Sequence, residues 1–291
     1  MCATVSKILE ESVRYLKNHG VENNTVLDAQ LILCHVLKVD RLYLVVNRDE
    51  ELDKNVIQSY QSLLRLRAEG QPLQYITGMQ EFMSLPFRLT ADVLIPRADT
   101  EILVECVINK YKKEDHPTSI MDIGTGSGCI AVSLAYYIQN CSIYAVDISP
   151  KALTIAQQNA EENGVSHKIS FKQQNILDGF PGCLSQGELD AIISNPPYIK
   201  TDVIETLQRE VMGYEPHLAL DGGKDGLVFY KTITGKAYHY LKSGGLLAFE
   251  VGHDQSDEVV HLIENTGKYT DIEVVKDLAG INRVVAARRI K

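Results

Sequence analysis

The sequence predicts an α/β domain with a mixed, mainly parallel sheet, preceded by a small all-α domain. Three observations carry this expectation. Up to about Glu69 the apolar residues recur at helical spacing. Past Pro117, short apolar runs alternate with helical stretches, which is the order of a mainly parallel sheet covered on both faces. Between the two lies a short aromatic segment broken by proline, which suits edge strands and not a helix.

The elements follow in chain order. From Thr4 to His19, Val5, Ile8, Leu9, Val13 and Leu16 form one apolar helical face, and Gly20 supplies a stop. Thr25 is expected to cap a second helix carrying Leu31, Ile32, Val36 and Leu37, with Asp28 favouring its first turn. A short segment follows Asp40, and an amphipathic helix from about Leu52 to Glu69 ends at Gly70-Gln71-Pro72. Glu81 to Leu89, with Phe82, Leu85 and Phe87 around Pro86, reads as a hairpin between domains. Ser119 to Ile123, Ser142 to Val146, Ile169 to Gln173, Asp190 to Ser194 and Leu246 to Val251 are expected strands. Cys129 to Gln139, Pro150 to Asn163 and Gly226 to Leu241 are expected helices. The expected division is 1–78 helical, 79–98 a hairpin linker and 99–291 the α/β domain.

Composition narrows the function classes. Of 291 residues, 45% are hydrophobic and 23% charged, the make-up of an ordinary globular protein. No apolar run approaches the roughly 18 residues that span a bilayer, and Met1 to Glu11 has no signal-peptide core, so a cytoplasmic protein without a membrane partner is expected. Cys2, Cys34, Cys106, Cys129, Cys141 and Cys183 show neither a CxxC pair nor metal-ligand spacing. There is no H-E-x-x-H and no G-x-S-x-G, so zinc and serine-hydrolase chemistry and a metal site are not expected. A net charge of −9 argues against direct, salt-driven nucleic-acid binding. The tight basic groups, Arg65 with Arg67 and Arg288, Arg289 with Lys291, are expected to be solvated helix or chain ends.

Ligands of such sheets sit beyond the carboxyl ends of the strands, and the informative motifs fall there. Asn195-Pro196-Pro197-Tyr198 directly follows the apolar run Leu189 to Ser194. The Asn195 amide offers an acceptor and donors in one plane. Pro196 and Pro197 stiffen the backbone and leave the Pro196 carbonyl as an acceptor, and Tyr198 offers a π-face. Together they make a slot for a planar NH2 group, although Pro-Pro after a strand is also an ordinary strand stop. Asp122-Ile123-Gly124-Thr125-Gly126-Ser127-Gly128 is a glycine turn from strand to helix. Cys129 stands where a dinucleotide fingerprint needs a small residue, and the Gly-Lys-Ser/Thr of a P-loop is absent, so the turn suits a ligand without pyrophosphate, such as the amino-acid end of S-adenosylmethionine. Asp147 ends the next strand, where it could accept ribose hydroxyls or cap the helix starting near Pro150. Asn175 and Ile176 could hold an adenine edge and face, or form a turn.

A glycine loop, a ribose-type acid and Asn-Pro-Pro-Tyr on successive strands resemble the Rossmann-like S-adenosylmethionine-dependent methyltransferase domain of enzymes that methylate amide or exocyclic amino nitrogens. Pro72-Leu73-x-Tyr75-Ile76-x-Gly78, Glu81-Phe82, Leu94-Ile95-Pro96-Arg97-x-Asp99-Thr100-Glu101 and Glu215-Pro216, with Leu27-Asp28-Ala29 and Arg41, resemble the bacterial release-factor glutamine methyltransferases, the HemK/PrmC family. The resemblance implies S-adenosylmethionine as cofactor and the glutamine of the Gly-Gly-Gln motif in class 1 peptide chain release factors as acceptor, in support of translation termination. It implies that Gly124, Thr125, Gly126, Ser127, Gly128, Asp147, Asn175, Ile176 and Asn195 hold the cofactor. Asn195, Pro196, Pro197, Tyr198 and Arg97 would bind the glutamine, with Asn195, Pro196 and Tyr198 catalytic, and the N-terminal helices would recognise the protein substrate. Ile176 stands where the family often has an aromatic residue beside the adenine. A related group methylates a large-subunit ribosomal protein and usually departs from Arg97-x-Asp99-Thr100-Glu101, so that stretch favours the release-factor branch. A DNA adenine-amino methyltransferase could use the same tetrapeptide but would need a basic groove, and a scaffold without activity would not need all of these residues.

Overall fold

A computed structural model of the chain describes residues 3–112 and 116–291; Cys2 lies outside them. The chain divides into two compact units, one made of Met1–Met79 with Gln208–Tyr214, the other of Gln80–Leu207 with Glu215–Lys291.

The first unit is helical, with one two-residue antiparallel strand pair that the sequence reading did not anticipate. In chain order it holds β1 (Ala3–Thr4), α1 (Val5–Asn18), α2 (Thr25–Leu37), α3 (Arg41–Val46), β2 (Glu51–Leu52), α4 (Lys54–Ala68) and α5 (Leu73–Thr77). Its core gathers Val5, Ile8 and Leu16 of α1, Ile32 and Leu33 of α2, and Tyr60 and Leu64 of α4. The helix starts are set by local chemistry: Thr4, Asp40 and Asp53 accept backbone N–H bonds from Lys7, Tyr43 and Asn55. Thr25 does not cap α2. Asn24 takes the left-handed cap position at φ 56°, and Thr25 enters the first turn with its side chain buried.

Arg67 is not the solvated helix end that its spacing suggested. Its Nε donates to Asp28 Oδ2 at 2.6 Å, and the two side chains are 8% and 6% exposed. A second guanidinium N–H donates to Glu210 Oε1 at 2.7 Å, so the buried cation meets two carboxylates, one from the distant segment Gln208–Tyr214. Removing Arg67 strands the buried Asp28 carboxylate, typically at a cost of about 3–5 kcal/mol.

The second unit opens with the hairpin β3 (Met79–Phe82) and β4 (Leu85–Arg88), then α6 (Ala98–Tyr111), β5 (Thr118–Ile123), α7 (Cys129–Tyr137), β6 (Cys141–Asp147), α8 (Pro150–Glu162), β7 (Ile169–Gln173) and β8 (Leu189–Ser194). The helix α9 (Arg209–Tyr214) belongs to the first unit, after which come α10 (Val228–Tyr240), β9 (Leu241–Glu250), α11 (Ser256–Asn265), β10 (Tyr269–Lys276) and β11 (Asn282–Arg289). From Gln80 onward the hairpin falls within the second unit, where Phe82, Leu85 and Phe87 are buried in the same cluster as Leu103 and Val104 of α6.

Seven strands form one sheet in the order β10-β11-β9-β8-β5-β6-β7. Pairing is parallel from β9 through β7, and β11 is antiparallel to both β9 and β10, so the sheet is mixed and mainly parallel. Its centre is buried on both faces. In β8, Ala191 and Ile193 join one apolar cluster, Leu189 and Ile192 the other, which is why a central parallel strand reads as an unbroken apolar run. Arg288 and Arg289 lie in β11, where they are half-buried and donate to the carbonyls of Gly244 and Leu241, so they too depart from the expected solvated end.

Candidate functional site

Strand order and register assemble the site. From β5 the chain moves to β6 and β7 on one side, then returns to β8 on the other, which makes the space beyond β5 and β8 the topological switch point. Ile123 pairs with Val146 of β6 and with Ser194 of β8. The residue after each of these is Gly124, Asp147 and Asn195, so the register alone makes neighbours of the three motifs. The Ser194 hydroxyl donates to the Ile123 carbonyl at 2.7 Å and pins β8 to β5 where the tetrapeptide begins.

One wall is backbone. Gly124 and Thr125 both donate to the Val146 carbonyl, at 2.9 and 3.0 Å. Gly126 donates to Asp147 Oδ2 at 2.8 Å, and Ser149 to Asp147 Oδ1 at 2.9 Å. Gly124, Gly126 and Gly128 have φ of 75°, 55° and 80°, a region that side chains disfavour. Gly128 has a second reason to be glycine: a Cβ there would lie 3.0 Å from the Ala156 Cβ of α8. The cap of α8 is Ser149, whose hydroxyl accepts from Ala152 at 3.2 Å, so Asp147 is bound to the glycine turn and not spent as the helix cap. Burial pushes the Asp147 carboxyl up, while the N–H groups of Ser149 and Gly126 oppose the rise. Behind it, burial pushes the fully buried Asp122 to about 7, against the Thr125 hydroxyl that donates to its Oδ2, and its Oδ1 has no hydrogen-bond partner.

The other wall is side chain. Asn195 Nδ2 donates to Thr100 Oγ1 of α6 at 3.1 Å, leaving Oδ1 as its open acceptor. Among the described residues no hydrogen bond ends on the Pro196 carbonyl. Tyr198 does not face the cavity as expected. Its ring packs on the second apolar cluster and its hydroxyl donates to Glu250 Oε1 at 3.4 Å, because the backbone around it is gripped from behind. Gln255 Nε2 donates to the Tyr198 carbonyl at 3.0 Å. Gly222 and Gly226 close over the same residue, since a Cβ on either would come within 2.7 and 2.5 Å of the Tyr198 backbone.

Between the walls is a cavity of about 390 Å³ lined by Gly124, Gly126, Asp147, Asn175, Ile176, Asn195, Pro196 and Pro197, with Leu94, Pro216, Leu218 and Phe229 among the apolar residues. Its size and mixed lining suit a nucleoside with an amino-acid tail. Two glycines without Cβ atoms and a carboxylate whose oxygens keep lone pairs beyond their backbone bonds fit S-adenosylmethionine. Asn175 is held in its own turn, Oδ1 accepting from Leu177 and Nδ2 donating to Asp178, so Ile176 is the better placed of that pair to meet a ligand. Thr125, Ser127 and Gly128 do not line the cavity; they shape the turn from behind. Arg97 is also off the wall. It pairs with the buried Glu215, joining two of the motif stretches noted in the sequence and fixing the chain next to Pro216. Thr100, Glu250, Gln255, Gly222 and Gly226 were not singled out individually by sequence reasoning. The available signals were a charged residue ending the apolar strand β9 and glycines clustered in one loop.

Residues 7–78 match the PrmC N-terminal domain family, and residues 114–284 match a methyltransferase domain family. The chain is 42% identical to a release factor glutamine methyltransferase of Moorella thermoacetica, over 98% of this chain and 99% of that protein. It is 41% identical to one of Geobacter sulfurreducens, over 98% and 96%. A solved methyltransferase structure from Pyrococcus furiosus shares the fold, at 17% identity and a TM-score of 0.51, over 72% of this chain and 91% of that one.

Proposed function

The chain belongs to the release factor glutamine methyltransferase family, and from that premise we propose that it methylates the side-chain nitrogen of the Gly-Gly-Gln glutamine in class 1 peptide chain release factors. S-adenosylmethionine is the methyl donor in this reading, and when bound it supplies an electrophilic methyl on a sulfonium sulfur. The observation that carries the reading is the open Asn195 Oδ1 on the cavity wall, with the Asn195 NH2 already committed to Thr100.

An amide nitrogen is a poor nucleophile because its lone pair is delocalised into the carbonyl. The protein's contribution is therefore to aim it and to favour the charge that grows on it. Asn195 Oδ1 and the Pro196 carbonyl accept its two N–H bonds, and the stiff Pro196-Pro197 backbone keeps both acceptors in place. Holding reacting atoms at near-attack distance contributes roughly 7–11 kcal/mol. Acceptors aimed at the nitrogen stabilise its developing positive charge, a term that grows as water is excluded, and the methylated nitrogen then gives up one of its two protons to water to leave the neutral amide. Gly124, Gly126, Asp147 and Ile176 hold the donor, while Thr125, Ser127 and Gly128 keep the glycine turn in shape. Arg97 supports the wall through Glu215, and Tyr198 anchors the tetrapeptide from its buried side.

The helical unit is the candidate docking surface, because a loop glutamine needs more area than one side-chain slot. Leu42, Val45 and Val46 of α3 are exposed apolar residues suited to that task. Changing Leu42 and Val46 to Asp is expected to raise KM for a whole release factor at least tenfold while leaving kcat near its original value; an unchanged KM removes α3 from the docking surface. The substrate would be met in the cytoplasm, where translation runs.

Mass spectrometry of a purified class 1 release factor incubated with the protein and S-adenosylmethionine tests the activity. One added methyl on the Gly-Gly-Gln glutamine is expected. Label that enters duplex DNA and leaves that glutamine unmodified would overturn the reading.

A further inference from the structure

Behind the donor wall, α8 carries a fully buried amide. Asn159 is 0% exposed, and both ends of its side chain are bonded to backbone. Its Oδ1 accepts the Arg88 N–H at 2.7 Å, while Nδ2 donates to the Arg88 carbonyl at 3.1 Å and to the Ser127 carbonyl at 2.8 Å. Turned end for end, the amide would set its oxygen against both carbonyls, so only one orientation serves. Among the described residues no backbone N–H reaches the Ser127 carbonyl. The bond from Asn159 is therefore the one that holds the Ser127 peptide to α8.

The two peptides that Asn159 grips belong to separate stretches bordering the donor cavity. Ser127 directly follows Gly126, and Arg88 ends β4 just before Ala91, Asp92, Val93 and Leu94, all of which line that cavity. From this geometry we infer that Asn159 is a positioning residue for the methyl donor: it locks the glycine turn to the end of the β3–β4 hairpin, which makes the hairpin part of the donor site. One side chain bonded to both stretches sets their spacing in advance, so that binding does not have to order them. The effect falls on donor affinity and not on the transfer step, because neither peptide belongs to the acceptor wall. α8 holds the hairpin at two further points, Asn163 Nδ2 donating to the Pro86 carbonyl at 3.0 Å and Glu162 pairing with the Arg88 side chain. Neither of these contacts involves the glycine turn.

The inference rests on the reading of the cavity as the S-adenosylmethionine site, and calorimetry with S-adenosylmethionine separates the two. Asn159→Ala is expected to raise the donor Kd and the donor KM together, by about tenfold or more, while kcat at saturating donor stays within about threefold. Asn163→Ala, which loosens the hairpin without touching Ser127, should lower thermal stability and leave donor affinity within about twofold. If Asn159→Ala binds the donor as the unsubstituted protein does, or if Asn163→Ala loses affinity equally, the positioning role fails and the donor site stands. Failure of the unsubstituted protein to bind S-adenosylmethionine would overturn both. If Asn159→Ala does not fold, hydrogen exchange of the unsubstituted protein decides. Saturating donor should then slow the Arg88 amide along with those of Gly126 and Ser127; an Arg88 amide unchanged while the other two slow would overturn the inference.

Discussion

The two walls of the cavity are built in different ways. The donor wall is a run of neighbours in sequence, Asp122 to Gly128 with Asp147 one strand away, held by backbone N–H bonds to the Val146 carbonyl and to Asp147. The acceptor wall takes its four-residue motif from one place and its support from α6, β9, the Gly222–Gly226 turn and Gln255. A wall made of backbone is fixed once its strands pair. A wall made of converging side chains depends on packing at every supporting site, so substitutions at a distance should disturb it more.

Four substitutions put that contrast to work. Asn195→Ala should have the largest effect, a loss of about 10²-fold or more in kcat with calorimetric S-adenosylmethionine affinity retained. An equal loss of affinity would show that the walls are not separable. Gly226→Ala is next: a Cβ 2.5 Å from the Tyr198 carbonyl oxygen, at a φ of 73°, must displace the tetrapeptide from behind. We expect kcat to fall by roughly tenfold or more and thermal stability by about 1–3 kcal/mol, with the donor site intact. Asp147→Ala should act on the opposite wall. It weakens S-adenosylmethionine binding about tenfold or more, the loss of charge-assisted hydrogen bonds of about 1.5–3 kcal/mol, and leaves turnover at saturating donor less affected.

The fourth effect is on stability alone and has a pH signature. Glu250 has a folded-state pKa raised from 4.5 to about 7, chiefly by burial. The folded state therefore binds the proton more tightly than the unfolded one. The stability tied to this group is fully present below about pH 4.5 and is lost as pH rises to about 7. Replacing it by Gln should accordingly stabilise the protein more at pH 8 than at pH 5, by a difference of up to about 3 kcal/mol, read from denaturant unfolding at the two pH values. No difference between the two would mean that the carboxyl is solvated in the folded state.

The same contrast decides what the sequence could reveal. The alternating elements from β5 to β8, the glycine turn and Asp147 were legible because each is written in a few adjacent residues with one backbone requirement. The tetrapeptide was legible as a slot, but the direction of Tyr198 was not, since that follows from Gly222, Gly226 and Gln255 closing over it. α6 was missed because Leu94 to Glu101 read only as a motif, and β10 and β11 because antiparallel edge strands with half-exposed residues lack the unbroken apolar run of β8. Arg67 reads as a solvated helix end until Asp28 and Glu210 are brought to it. That contact depends on the fold and not on the spacing.

Gln208–Tyr214 carries a further consequence, for biosynthesis. The first unit is otherwise complete at Met79, yet the carboxylate of Glu210 that shares Arg67 is made more than a hundred residues later, after β8. On the ribosome the helical unit must wait, with Arg67 paired to Asp28 alone, until the chain has passed through the hairpin and four strands of the large sheet, β5 to β8, and come back. Its final stability is therefore a late event in synthesis, tied to the same stretch of chain that follows the Asn-Pro-Pro-Tyr motif.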